Sequence, residues 1–237
     1  MSAKALFIGS IGVVTETSEY QRKAYNQAMS ENGLDWQWTP AIYKDLLKSN
    51  GGKNRLHLLS QATQQPLQEE IIDKIHARKT ALATQMVVAD QLSPRAGLVK
   101  LVKEAKQAGA IVAWVTSTYE ENTNALLEAS QDQLSESDFD YIFHRTDATA
   151  GKPSPSIYQA ALKHFDLHAS NCIAIEDSLI SLLAAKAAGI FTVASLGAYH
   201  DESVENIADL VVSGLDETNW SKLVEQFEKV QAPSLVA

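Results

Sequence analysis

Residues 5–17 read Ala5-Leu6-Phe7-Ile8-Gly9-Ser10-Ile11-Gly12-Val13-Val14-Thr15-Glu16-Thr17. An apolar run stops at a glycine-containing turn, which predicts a short strand, and a polar helix start follows. Ser18 and Gln21 have the spacing of a capping box, so a helix is expected from Ser18 onward. From there to about Asp90 no strand pattern occurs. Helical spacing fills residues 41–48, 53–63 and 67–87, with loops at 36–40, 49–52 and 64–66. A wholly helical stretch of about 70 residues is too long for an ordinary connection after a first strand. It predicts a separate helical cap domain over residues 17–90, inserted into a core built from residues 1–16 and 91–237.

Beyond Asp90 strands and helices alternate. Leu98, Leu101, Val102 and Ala105 share one helix face, stopped by Gly109. Ile111–Val115, Tyr141–Phe143, Cys172–Ile175, Phe191–Ala194 and Leu210–Val212 read as strands. Thr118 with Glu121, and Ser154 with Pro155, are expected to start helices. Residues 178–188, ended by Gly189, and 216–230 complete the helices, and the tail Gln231–Ala237 reads as frayed. Continuous apolar strands alternating with helices predict an α/β fold: a Rossmann-like, three-layer parallel sheet, here carrying the inserted cap.

The bulk numbers bound the function. The chain has 237 residues, 45% apolar and 21% charged, as in ordinary globular proteins. Its net charge of −9 argues against a general nucleic-acid surface or an acidic membrane. No window of 18 apolar residues is present, so no membrane span is expected, and no signal peptide is read at the N-terminus. The one cysteine, Cys172, lies in an apolar strand and reads as a buried thiol. A cytoplasmic location is the expectation from this cysteine usage. None of the six histidines has metal-ligand spacing.

Ligands of parallel sheets sit at the carboxyl ends of the strands. Those ends carry Gly9-Ser10, Thr116-Ser117-Thr118, Gly151-Lys152-Pro153 and Glu176-Asp177. Thr116 and Ser117 precede a helix N-terminus, where hydroxyls and backbone N–H groups suit a phosphate or simply cap the helix. Lys152 alone would read as a surface charge. Glu176 and Asp177 suit Mg²⁺ or, equally, a cap of the next helix.

Taken together these residues resemble the haloacid dehalogenase superfamily of phosphohydrolases, and within it the CbbY-like, phosphoglucomutase-like sugar-phosphatase branch. Thr116, Lys152 and Glu176-Asp177 match its second, third and fourth motifs in order and context. The segment Leu46-Leu47-Lys48-Ser49-Asn50-Gly51-Gly52-Lys53-Asn54-Arg55 resembles the branch's phosphosugar-contacting cap loop. The first motif of that family is strand-Asp-x-Asp-Gly. Here Gly9 and Ile11 stand at the two aspartate positions, while Gly12, Val13 and Val14 match. Gln21 stands where the branch often has histidine, and Ser181 where it has glycine.

The resemblance implies that the first aspartate attacks phosphorus and binds Mg²⁺, and that the second protonates the leaving group. Neither is present, so hydrolysis is expected to be impaired or very weak, with Mg²⁺ bound weakly through Glu176 and Asp177. Phosphate or a phosphorylated small molecule is expected at Ser10, Thr116, Ser117 and Lys152, with Glu16, Lys53 and Arg55 as further contacts. Two alternatives stand beside this. The chain is an atypical hydrolase using substitutes such as Glu16, Glu176, Asp177 or activated water. Or it is an interaction module whose cap binds a protein partner and which has no ligand.

Overall fold

The computed structural model is described for residues 2–9, 11–49 and 51–231. Six parallel strands, β1 (Ala5–Ile8), β2 (Ile111–Val115), β3 (Tyr141–Phe143), β4 (Cys172–Glu176), β5 (Phe191–Ser195) and β6 (Leu210–Val212), lie in the order β3-β2-β1-β4-β5-β6. The order reverses at β1, between β2 and β4. A crevice therefore opens at the carboxyl end of β1.

Period-two alternation sorts the side chains onto two buried faces. Leu6, Ile8, Val112, Trp114, Ile173 and Ile175 face α6 (Leu98–Gln107) and α10 (Trp220–Gln231) through Leu101, Val102, Leu223 and Phe227. Ala5, Phe7, Ala113, Val115, Cys172 and Ala174 face α8 (Ser156–His164) and α9 (Leu179–Ala187) through Ile157, Tyr158, Ala161, Ala184 and Ala185. Burial on both sides is why the central strands β1, β2, β4 and β5 read as continuous apolar runs. Burial pushes the Cys172 thiol up to about 12, so it stays protonated in the core.

The turn after β1 differs from expectation. The strand stops at Ile8, and Ile11–Val14 form one helical turn, α1. Then come α2 (Ser18–Glu31), α3 (Pro40–Leu47), α4 (Gly52–Ala62) and α5 (Glu69–Ala89), matching the helical spacing. These helices close on their own cluster around Tyr25, Trp38, Tyr43, Leu56, Ile72 and Ile75. Trp38 packs between Tyr25 and Tyr43, at ring centroids of 4.3 and 5.8 Å.

Three expected caps form differently. Gln21 makes no capping box at α2, because its side-chain oxygen is taken by Lys79. Thr118 and Glu121 do not cap α7 (Glu120–Ala129), which starts after Tyr119 without a side-chain cap. Thr116 Oγ1 instead accepts from Thr118 N at 3.2 Å. Ser154 does accept from Ser156 N at 3.3 Å, but α8 begins only at Ser156. The last helix begins at Trp220, after a short 3-10 turn at Leu215–Glu217. The tail beyond Gln231 lies outside the described residues. No helix among the described residues is long and apolar enough to cross a membrane.

Candidate functional site

Strand alternation dictates the heart of the site. Ala5 pairs with Cys172 and Phe7 with Ala174, so Gly9 and Glu176 come next in that register, on the face that packs on α8. Gly9 N donates to Ile175 O at 2.9 Å, which carries the pairing past the strand end. A Cβ built on Gly9 would lie 2.5 Å from Glu176 Oε1 and closer still to its Cδ and Oε2. The Glu176 carboxylate thus occupies the volume that any side chain at position 9 would need.

Glu176 is fully buried, 0% exposed, and Lys152 is 4% exposed. Lys152 Nζ donates to Glu176 Oε1 at 2.5 Å and to Val115 O at 3.1 Å. The Tyr158 hydroxyl donates a short hydrogen bond to the same carboxylate oxygen. Burial, and then the Glu176 charge, push the Tyr158 phenol well above its ordinary value, so it remains a donor. Lys152 Nζ also lies 5.0 Å from the Tyr158 ring centroid. A buried charge is tolerated only when paired and hydrogen-bonded, and this triad meets that condition.

Above the triad lies a cleft of about 420 Å³ between the strand ends and helices α2–α5. Thr116, Ser117, Lys152, Asp177 and Glu16 line it from below, and Gln21, Tyr43, Arg55, His76 and Lys79 from the helical side. Glu176 is absent from the lining; it sits beneath the floor. Ser117 Oγ is buried with no hydrogen-bond partner among the described residues. Glu16 is committed to backbone, accepting from Ser18 N at 3.0 Å and Ala198 N at 2.9 Å. Arg55 donates to Leu46 O at 3.2 Å, tying α4 to the end of α3. Lys53 is not on the cleft; it pairs with Asp73 at 2.5 Å on the surface. Ser10 lies outside the described residues.

The lining carries both signs of charge. Lys44, Lys48, Arg55, Lys79 and Lys152 face three carboxylates, Glu16, Asp177 and Asp201. One of those cations, Lys152, is already matched by Glu176 below.

A Mg²⁺ site needs oxygen ligands, usually one or two carboxylates plus substrate phosphate. As placed, the donors do not fit. Glu176 is turned down onto Lys152 and Tyr158, and Gly9 supplies no carboxylate. Asp177 remains on the cleft, its carboxylate filling the space a Cβ on Gly12 would take. Among the described residues no three His, Cys, Asp or Glu side chains converge as metal ligands.

Sequence reasoning missed Tyr158, Lys79 and His76. Lys79 had a legible signal: it falls on the apolar stripe Ile72, Ile75, Lys79, Leu82, Ala83 that α5 buries. It is 8% exposed, donates to Gln21 Oε1 at 2.8 Å, and lies 4.9 Å from the Tyr25 ring centroid. Burial, and then the Arg55 charge, pull its ammonium down to about 7. Burial likewise lowers His76 to about 4, helped by Lys79, Lys53 and Arg55, so its ring is neutral at pH 7. Gly52 is required beside it: a Cβ there would meet His76 and lie 2.6 Å from the Tyr25 hydroxyl.

The sign of the Lys79 effect follows from linkage. Above about pH 7 the unfolded chain holds a proton on this lysine that the folded chain lacks, so its contribution to stability rises with pH up to the ordinary lysine value of 10.5. Below about pH 7 the full cost of a buried ammonium is present. Lys79→Met should therefore stabilise the fold by a few kcal/mol at pH 7 and below. The gain should disappear near pH 10.5. Urea denaturation at pH 6, 8 and 10 checks this; a gain that does not change with pH would contradict the burial of the ammonium.

A parallel sheet with its crevice at the β1 switch point, a buried lysine on the third strand-end loop, and a hydroxyl pair after β2 define an α/β scaffold with a polar cleft at its strand ends. The chain belongs to the haloacid dehalogenase-like hydrolase family, whose model matches residues 4–189. It is similar to Protein CbbY of Cereibacter sphaeroides, 35% identical over 202 residues that cover 84% of this chain and 87% of that one. The plasmid-encoded Protein CbbY of Cupriavidus necator is 37% identical over 195 residues, covering 80% and 77%. Among solved structures, CbbY from Rhodobacter sphaeroides in complex with phosphate superposes with a TM-score of 0.82 at 32% identity, over 92% of this chain and 96% of that one. A β-phosphoglucomutase from Clostridium difficile shares the fold, with a TM-score of 0.80 at 19% identity over 98% and 100% of the two chains.

Proposed function

We propose that this chain binds a phosphorylated sugar in the crevice and does not hydrolyse it, with residues 17–90 acting as the cap domain. One observation carries the reading: the Glu176 carboxylate fills the volume of the nucleophile position at Gly9 and holds Lys152 there. No carboxylate reaches the cleft from position 9, and Ile11 has no proton to give. Loss of a nucleophile alone lowers rates by about 10⁴ to 10⁶. Glu176 is no substitute, because it lies below the floor. Glu16 is no substitute either, because its carboxylate is spent on two backbone N–H groups. With Glu176 withdrawn, Mg²⁺ binds weakly and ligand binding does not depend on it.

What remains suits an anion. Thr116, Ser117 and Lys152 form the lower wall, and Arg55, Lys48 and Lys44 supply positive charge on the helical side. Hydroxyl and ammonium donors on the lower wall and cations on the helical side offer a contact at each end of a ligand with two phosphates. A related crystal structure supports this class: a variant of CbbY from Rhodobacter sphaeroides in complex with xylulose-(1,5)bisphosphate has a TM-score of 0.82 to this chain.

A sugar bisphosphate at about 100 times its dissociation constant should stabilise the fold by about 2.7 kcal/mol. Thermal melts with and without Mg²⁺ should show the same shift. Thr116→Val and Arg55→Met should each reduce it. No shift with any phosphorylated sugar at millimolar concentration would overturn the reading.

A further inference from the structure

We infer that the loop after β5, residues 196–201, is a clasp: Tyr199 pins the helical insert onto the sheet domain and so paces ligand exchange in the cleft. The inference rests on the proposed reading of residues 17–90 as a cap over a binding crevice, and adds the contact that holds it down.

The loop is fixed at its base and reaches out at its tip. Arg95 Nη2 donates to Leu196 O at 2.5 Å and Nη1 to Gly12 O at 3.3 Å, which ties the loop to the turn after β1. Ala198 N donates to Glu16 Oε2 at 2.9 Å, where the chain enters the insert. The approach there is close: a Cβ on Gly197 would lie 2.9 Å from the same oxygen. Tyr199 then crosses to the insert. Its ring meets Tyr43 edge-on at 5.7 Å. Among the described residues it is the one apolar or aromatic residue outside 17–90 that packs against the insert's own cluster. Its hydroxyl donates to Glu19 Oε2 on α2 at 2.6 Å. Arg22 donates to that carboxylate from Nε at 2.9 Å and to Trp38 O from Nη1 at 2.6 Å, so the tie reaches the centre of the cluster.

The contact has the chemistry of a joint that opens. Lys152 and Glu176 do not separate cheaply, because both charges are buried. The Glu19 side chain is 40% exposed, so water replaces the tyrosine when the clasp parts, and Arg22 stays with the carboxylate. Tyr43, at 2% exposure, is uncovered by the same movement, and that apolar cost draws the clasp back. Tyr199, His200 and Asp201 line the cleft together with Tyr43, Lys44 and Lys48, so parting the loop from α3 widens it.

Two nitroxide labels test the clasp without a ligand, one on Gln61→Cys of α4 and one on Lys163→Cys of α8. Both positions are exposed, and the native Cys172 is buried. Pulsed EPR should give one interlabel distance in this labelled chain. Tyr199→Phe should raise a longer-distance population at least about tenfold, the worth of a hydrogen bond to a charged group, and Tyr199→Ala should raise it further. Stopped-flow binding of fructose 1,6-bisphosphate to the unlabelled chain is the second measurement. In Tyr199→Phe association and dissociation should both quicken about tenfold while Kd stays within about twofold, because the clasp closes the empty and the filled cleft alike. A residue that merely supports the fold or touches the ligand would change Kd and leave the association rate as it was. That result, or a distance distribution indifferent to Tyr199→Ala, would overturn the inference. Distances that respond in a chain that binds no bisphosphate support the clasp and count against the proposed ligand. Bisphosphate binding with rates and distances unmoved refutes the clasp and leaves the binding reading standing.

Discussion

Gly9→Asp combined with Ile11→Asp should confer Mg²⁺-dependent release of phosphate from sugar phosphates, at least about 10³-fold above the parent chain. That is the lower side of what a nucleophile contributes. Gly9 is not among the glycines at positive φ, so the backbone accepts a side chain there. The obstacle is Glu176, whose carboxylate fills the space. For an aspartate at position 9 to fit, Glu176 must turn up toward Asp177. The movement that clears the clash gathers three carboxylates at one point, the oxygen-rich set Mg²⁺ uses. Without the metal those charges repel, and the variant should be several kcal/mol less stable than the parent. Mg²⁺ should restore much of that loss, so the melting temperature of the double variant becomes Mg²⁺-dependent while the parent's does not. Ile11 is half-buried against the sheet core, and replacing it adds a desolvation cost. Gly9→Asp alone should gain less activity, because no acid protonates the leaving group. A folded double variant that binds Mg²⁺ and hydrolyses nothing would place the defect elsewhere, with Gln21 the next position to change.

The second large effect is structural. Glu176→Gln should lower stability by about 3 to 5 kcal/mol, because it takes the Glu176 charge away from the buried Lys152 ammonium. The substitution keeps the shape and still accepts from Tyr158, so the loss reports the charge pair rather than a cavity. For a chain of this size that corresponds to a fall of roughly 6 to 20 °C in melting temperature. Lys152→Met in the same background should recover most of it, because a neutral pair removes the cost of a buried charge. Urea midpoints of the two single variants and the double close the cycle. Near-additive losses would mean that Lys152 and Glu176 are not coupled, and the filled position-9 volume would lose its anchor.

Much of this architecture is legible in the chain. Alternation of apolar strands and helices yields the parallel sheet, and helical spacing yields α3 to α5 nearly to the residue. The polar strand ends Thr116, Lys152 and Asp177 do meet at one cleft, as parallel-sheet topology requires. The strand register even places Gly9 beside Glu176. What one-dimensional reasoning does not reach is the consequence of a missing side chain. A glycine at position 9 leaves a volume, and a dense interior fills it with a nearby group long enough to reach, here the Glu176 carboxylate. Glu176 reads as a cleft-facing ligand from its position, but its conformation depends on Gly9, 167 positions earlier. Gln21 fails as a cap for a similar reason: Lys79, 58 positions away, supplies a buried donor that its side chain must satisfy. Lys53 departs because a carboxylate one helix away, Asp73, is within reach on the surface.

Phosphorus NMR of a sugar bisphosphate mixed with the wild-type chain tests binding without turnover most directly, because ligand and product are seen in one spectrum. With saturating Mg²⁺, the ligand resonances should broaden and shift on addition of the protein, and no inorganic phosphate should accumulate above a protein-free control over a day. A growing inorganic-phosphate resonance that disappears in Lys152→Met, with that variant shown to be folded, would contradict the account and make this chain a working hydrolase.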